Sequence, residues 1–66
     1  MKIKVNNGIK EIEEGITLNS LLQDMGIGTA GIAVALNGNI ARRAEWDALQ
    51  LNDGDEVTII KAAYGG

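Results

Sequence analysis

The sequence contains no cysteine and no histidine. Without these residues the chain has no thiol nucleophile, no Cys/His zinc site and no Ser-His catalytic pair. It also has no disulfide that would need an oxidising compartment. Its single tryptophan and single tyrosine are too few for a platform on which nucleic-acid bases could stack. These absences exclude catalysis and metal binding that depend on a thiol or an imidazole.

Long apolar runs and a strong basic charge are also missing. No apolar stretch approaches the roughly 20 residues that span a bilayer, and the N-terminus Met1-Lys2-Ile3-Lys4 lacks the apolar segment of a secretory signal. The net charge is −3 with a pI of about 4.6. We therefore expect a soluble, cytoplasmic protein that binds neither membranes nor nucleic acid, and whose acidic surface suits a basic groove on a larger protein.

The first residues predict a β-hairpin. Apolar and polar residues alternate over Met1–Val5, which is typical of a half-buried strand. Asn6-Asn7-Gly8 predicts a tight turn. A weaker, charged segment over Ile9–Glu13 predicts an edge strand, but its facing stays open because Ile9 and Ile12 differ in parity.

A short helix is predicted after Thr17, whose hydroxyl can cap the first turn. Gly26 fits the left-handed position that ends a helix. Between them, apolar residues recur at helical spacing and form one stripe: Leu18, Leu21, Leu22 and Met25.

The second half of the chain predicts three more strands. Ile32–Leu36 is apolar throughout, as in a central strand, and Asn37-Gly38 ends it. A very short strand containing Ile40 and a helical turn over Arg42–Leu49 follow, with Trp46 as an anchor in a small core or at its rim. Glu56–Lys61 is rich in β-branched residues and predicts the last strand.

Alternation along these strands predicts a patch on the sheet face opposite the helix. If Val57 and Ile59 face the helix, their neighbours face the other way. The resulting apolar patch is a candidate partner surface, or else the ordinary apolar area that any small protein exposes. Its members are Ala33, Ala35, Thr58 and Ile60.

The order of elements predicts an α+β fold, the β-grasp or ubiquitin-like roll. It has a mixed four- or five-stranded sheet with one main helix on one face. The first and last strands are parallel neighbours, joined through a crossover that contains the helix. Residues 1–61 form this domain, and residues 62–66 form a flexible C-terminal tail.

The tail ends in Tyr64-Gly65-Gly66. Glycine packs nothing and is ordered at the highest entropic cost, so two terminal glycines do not stabilise a small domain. Either they are a frayed end, or the α-carboxylate of Gly66 is the reactive group.

Four motifs occur in order along the chain. They are Val34-Ala35-Leu36-Asn37-Gly38, Arg43-Ala44-Glu45-Trp46, Asp53-Gly54-Asp55-Glu56-Val57 and Gly65-Gly66. Together they resemble the ThiS family of ubiquitin-like sulfur carriers in thiamine biosynthesis, over the whole length. The family usually has a proline before the arginine, where this chain has Ala41-Arg42-Arg43.

The resemblance implies a specific chemistry for the tail. An E1-like adenylyltransferase of the ThiF type would adenylate the Gly66 carboxylate with ATP and Mg²⁺. Sulfur derived from a cysteine desulfurase would convert it to a thiocarboxylate, which a thiazole synthase of the ThiG type would consume. Gly65 and Tyr64 would thread into these active sites. The domain itself, expected to be a monomer when alone, would be a co-substrate that binds no cofactor or metal and is not an enzyme.

Two other functions remain open for a β-grasp domain that ends in Gly-Gly. One is the small sulfur-carrier subunit of molybdopterin synthase. The other is a ubiquitin-like modifier conjugated through Gly66 to lysines of other proteins.

Overall fold

The computed structural model describes residues 1–27 and 31–61. No helix in these two ranges is long and apolar enough to cross a membrane. The helices and strands follow the predicted order. They are β1 (Lys2–Val5), β2 (Gly8–Glu11), α1 (Leu18–Asp24), β3 (Ile32–Leu36), β4 (Asn39–Ala41), a 3₁₀ turn (Arg43–Glu45) and β5 (Glu56–Lys61).

The strands form one five-stranded sheet in the order β2-β1-β5-β3-β4. β1 and β5 are parallel, with Val5 opposite Val57, and the other neighbours are antiparallel. The parallel pair is joined through the crossover that contains α1. The predicted β-grasp fold is confirmed, with five strands, and β5 lies at the centre of the sheet.

The first hairpin differs by one residue from the predicted turn. Val5 pairs with Gly8, so the loop consists of Asn6 and Asn7 alone. Their φ angles are 46° and 72°, as a two-residue type I′ loop requires at both central positions. Asparagine tolerates this left-handed region because its short polar side chain can hydrogen-bond locally. Gly8 is therefore the first residue of β2 and not part of the turn.

This register settles which way Ile9 and Ile12 face. Ile9 pairs with Lys4 and is 71% exposed. Ile12 lies just beyond β2, which ends at Glu11 and not at the predicted Glu13, and it is buried. Its N–H donates to the Met1 carbonyl at 2.8 Å. The two isoleucines thus lie on opposite faces of the sheet.

The predicted start and stop of the helix are confirmed. The N–H of Ser20 donates to Thr17 Oγ1 at 3.2 Å, which caps the first turn. At the other end Gly26 has φ 69°, and the N–H of Ile27 donates to the Leu22 carbonyl at 3.1 Å. This is the Schellman arrangement, which satisfies carbonyls that the last turn leaves unpaired.

The core lies between α1 and the facing side of the sheet. Trp46 belongs to it and is 3% exposed, although the helical turn predicted over Arg42–Leu49 is shorter, a 3₁₀ turn at Arg43–Glu45. Each large apolar side chain contributes about 1.5–3 kcal/mol when fully buried. Within the described part of the chain every buried residue is apolar: Ile3, Val5, Ile12, Leu18, Leu21, Leu22, Val34, Ala41, Trp46, Leu51, Val57 and Ile59.

Candidate functional site

Among the described residues, the end of β5 is nearest in sequence to the predicted reactive terminus. β5 ends at Lys61, which pairs with Ile32 of β3. Gly66 is the fifth residue after Lys61, and five residues span at most about 18 Å of chain. The candidate site residues Tyr64, Gly65 and Gly66 themselves lie outside the described residues. The fold supplies the position of Lys61, after which the tail begins.

β5 is held by β3 as far as Lys61 and from the β1 side as far as Ile59. On one side it pairs with β3 along its length. On the other side the N–H of Asn6 donates to the Val57 carbonyl at 3.1 Å. The side chain of Asn6 then continues the pairing: Oδ1 accepts from the N–H of Ile59 at 2.8 Å and Nδ2 donates to the Ile59 carbonyl at 3.3 Å. From the sequence, Asn6 is predicted only as a turn residue.

The four residues of the predicted partner surface lie together. Ala33 pairs with Ile60 and Ala35 pairs with Thr58, in alternate positions of the β3–β5 ladder. Their neighbours Val34, Val57 and Ile59 are buried against the helix side, so these four face away from it. We call these four residues, together with Ile40 of β4, the open-face patch.

Ile40 extends the open-face patch and was not among the predicted residues. It is 65% exposed and pairs with Ala35 from the other side. The sequence holds a signal for it. Asn37 and Gly38 have φ angles of 52° and 85° and form a second two-residue loop. Such a loop pairs Leu36 with Asn39, and therefore Ala35 with Ile40.

A pair of charged residues borders the open-face patch on the side of β1. Lys4 of β1 pairs with Glu56 of β5, and their side chains approach to 3.6 Å while remaining about half exposed. Exposed ion pairs add little to stability. This pair separates the open-face patch from the exposed Ile9 on the edge strand β2.

Reactive side chains are scarce around this site. The sequence has no cysteine or histidine, and within the described ranges no three metal-binding side chains lie close enough to hold an ion. The arrangement offers a cluster of exposed apolar side chains beside a central strand whose last described residue is Lys61.

Comparisons with known proteins agree with this geometry. The ThiS family model matches residues 3–66. The chain is 30% identical to the sulfur carrier protein ThiS of Escherichia coli, covering 100% of both chains. It is 27% identical over 66 residues to a thiazole synthase of Paramagnetospirillum magneticum, of which it covers 20%. The crystal structure of a thiamine biosynthesis protein (ThiS) from Geobacter metallireducens matches with a TM-score of 0.87 and 29% identity, covering 100% of both chains.

Proposed function

This chain belongs to the ThiS family, and we infer from that membership that it is a sulfur carrier of thiamine biosynthesis whose Gly66 carboxylate takes up the sulfur. The family match, which extends through Gly66, carries this inference. The position of β5 supports it, because the strand that precedes the tail is the middle one of the five, with a neighbour on each side. Gly65 and Gly66 have no side chains, so a narrow channel can admit them.

The first step activates the carboxylate. A carboxylate is a poor electrophile because its charge is delocalised and oxide is a very poor leaving group. An oxygen of the Gly66 carboxylate attacks the α-phosphorus of ATP and pyrophosphate leaves, which gives an acyl adenylate. An E1-like adenylyltransferase supplies the active site, and Mg²⁺ accompanies the nucleotide there.

The second step introduces sulfur. The terminal sulfur of a protein persulfide, formed with a cysteine desulfurase, attacks the acyl carbon and AMP leaves. A thiol then reduces the resulting acyl disulfide. The products are the Gly66 thiocarboxylate and a disulfide between the reducing thiol and the cysteine that carried the persulfide. The thiocarboxylate sulfur is a good nucleophile at neutral pH and remains on a tether.

Thiazole synthase is the acceptor of this sulfur. Support comes from the thiazole synthases of Paramagnetospirillum magneticum and Magnetococcus marinus, in each of which a segment of about a fifth of the protein matches all 66 residues of this chain. A segment like this carrier is therefore part of the same chain as the synthase in those proteins. A carrier that is not joined to the synthase reaches it by docking. Because its adenylating partner uses ATP, the carrier works in the cytoplasm.

The open-face patch is the docking surface. It presents Ile40 and Ile60, two of the three large apolar side chains that are exposed in the described structure. Exposed apolar side chains that cluster are typical of protein interaction sites. The chain acts as a co-substrate, since it has neither histidine nor cysteine for general-base or nucleophilic catalysis. Catalysis belongs to the adenylyltransferase and the synthase.

Intact-protein mass spectrometry tests this function. The purified chain is incubated with its cognate adenylyltransferase, ATP, Mg²⁺, and a cysteine desulfurase with cysteine and a thiol. We expect a mass increase equal to the exchange of one oxygen for sulfur, assigned to Gly66 by fragmentation and absent without ATP. An unchanged mass would overturn the proposal. An isopeptide adduct to lysine would instead show a protein modifier.

A further inference from the structure

We propose that Asn6 is a positioning residue for the tail: its side-chain amide holds the end of β5 and thereby fixes the direction in which the strand delivers the residues after Lys61. The proposal rests on the proposed function, because it concerns the same terminus. Asn6 is far from that terminus in sequence, and it reaches β5 through the first hairpin.

The side chain of Asn6 substitutes for a strand. The chain turns away from the sheet at Asn6, where φ is 46°. A side-chain amide has the same acceptor and donor groups as a peptide unit. Asn6 uses both on the main chain of Ile59, at 2.8 and 3.3 Å, while its own N–H bonds to the Val57 carbonyl at 3.1 Å. One residue thus makes three hydrogen bonds to two alternate positions of β5.

These bonds act close to the point from which the tail leaves. Ile59 is two residues before the last residue of β5. Beyond Val57, the side chain of Asn6 holds β5 from the β1 side, and β3 holds it from the other side, through Ala33–Ile60 and Ile32–Lys61. With Asn6 truncated, the end of β5 is held from one side and can pivot on β3. A small change of direction at Ile59 displaces the terminus by several ångströms, and misplacement of a reacting group by about 1 Å can cost 100-fold in rate.

Asn37 provides a matched control at the opposite end of β5. It too lies in a two-residue loop, with φ 52°. Its Oδ1 accepts from the N–H of Glu56 at 2.9 Å, and its Nδ2 donates to Asp55 Oδ1 at 3.1 Å. Glycine adopts positive φ without strain, so Asn6→Gly and Asn37→Gly both preserve the loop and remove a side-chain contact to β5. They differ in which end of the strand is released.

Amide hydrogen exchange of the isolated chain, measured by NMR, tests the structural part. In Asn6→Gly we expect the Ile59 amide to exchange at least about tenfold faster than in the wild type, through local opening. In Asn37→Gly the Glu56 amide should accelerate and Ile59 should not. An Ile59 amide that exchanges at the wild-type rate in Asn6→Gly overturns the proposal.

Adenylation kinetics with the cognate enzyme test the positioning role. Docking by the open-face patch is unchanged in Asn6→Gly, so KM should stay within about twofold while kcat for ATP–pyrophosphate exchange falls about tenfold or more. Asn6→Asp keeps the Oδ1 acceptor and should recover part of kcat, and Asn37→Gly should match the wild type.

Two outcomes of these kinetics contradict the proposal: a wild-type kcat in Asn6→Gly, or equal losses in Asn6→Gly and Asn37→Gly, which would indicate a general stability effect. A wild-type chain that is not adenylated would instead overturn the proposed function, and with it any role of Asn6 in positioning the tail. Hydrogen exchange would then still show whether Asn6 holds Ile59.

Discussion

Ala33 and Ile60 lie directly opposite each other in the β3–β5 pair, on the face of the sheet that the helix leaves open. The alanine side chain is short and covers little of the isoleucine, which is 49% exposed. This side chain lies one residue before the end of β5. A partner that covers it is therefore brought close to the start of the tail.

We predict that Ile60→Asp blocks adenylation and leaves the fold intact. A charge in the centre of an apolar interface removes a contact worth about 2 kcal/mol or more, so KM for the carrier should rise at least about tenfold. Because Ile60 is half exposed in a strand where aspartate is disfavoured, the free energy of unfolding should fall by about 1 kcal/mol, which leaves the domain folded. Steady-state pyrophosphate exchange and urea unfolding measure the two quantities.

Ile9→Asp is the matched control for this variant. Ile9 is also exposed and on the same face, but it lies on the edge strand β2, beyond the Lys4–Glu56 pair. We expect wild-type KM for Ile9→Asp. A normal KM for Ile60→Asp, or equal effects at both positions, would show that the open-face patch is not the docking surface.

Much of the fold was predictable because local patterns set it. Successive side chains of a strand face opposite sides of the sheet, and the conditional assignment of Val57 to the helix side and Ile60 to the other side agrees with the burial along β5. Asn37-Gly38 is a loop that requires positive φ at both positions, and it fixed the register of β3 and β4. Signals of this kind are complete within a few residues.

Other features depended on neighbours that are distant in sequence. The facing of Ile9 follows from its pairing with Lys4, which the prediction of a three-residue turn concealed. The bonds from Asn6 to Ile59 bridge 53 positions, and no local pattern distinguishes such an asparagine from an ordinary turn residue. Four of the five residues of the open-face patch were identified from the sequence, whereas Ile40 and the residue that holds the strand, Asn6, were not.

Gly26, after the end of α1, and Gly8, at the start of β2, give opposite predictions for substitution by alanine. Gly26 has φ 69°, and a Cβ there would meet nothing within 4 Å, so Gly26→Ala should cost about 1–2 kcal/mol of unfolding free energy through backbone strain alone. Gly8 lies in β2, outside the left-handed region, with its nearest neighbour 3.5 Å from a Cβ. Gly8→Ala should therefore be neutral or slightly stabilising in urea unfolding. A clear loss at Gly8 would contradict the two-residue loop.

Trp46 gives a prediction about a buried hydrogen bond. Its Nε1 donates to the Ala41 carbonyl at 3.0 Å in the core. Trp46→Phe keeps an aromatic ring but leaves this acceptor without its donor, which costs about 1–3 kcal/mol. Thermal and urea unfolding followed by circular dichroism should show a loss in this range. An unchanged unfolding midpoint would mean that the bond contributes nothing.

Deletion of Gly66 tests the reactive terminus in the cell. The deletion moves the terminal carboxylate back by one residue, about 3.5 Å along an extended chain, so it no longer reaches the α-phosphorus of bound ATP. We expect cells carrying this variant as their sole carrier to require added thiazole. The purified variant should unfold at the wild-type urea concentration, because Gly66 is five residues beyond β5. Growth without thiazole would contradict the role of Gly66, whereas a growth defect that thiazole does not relieve would place the carrier in another pathway.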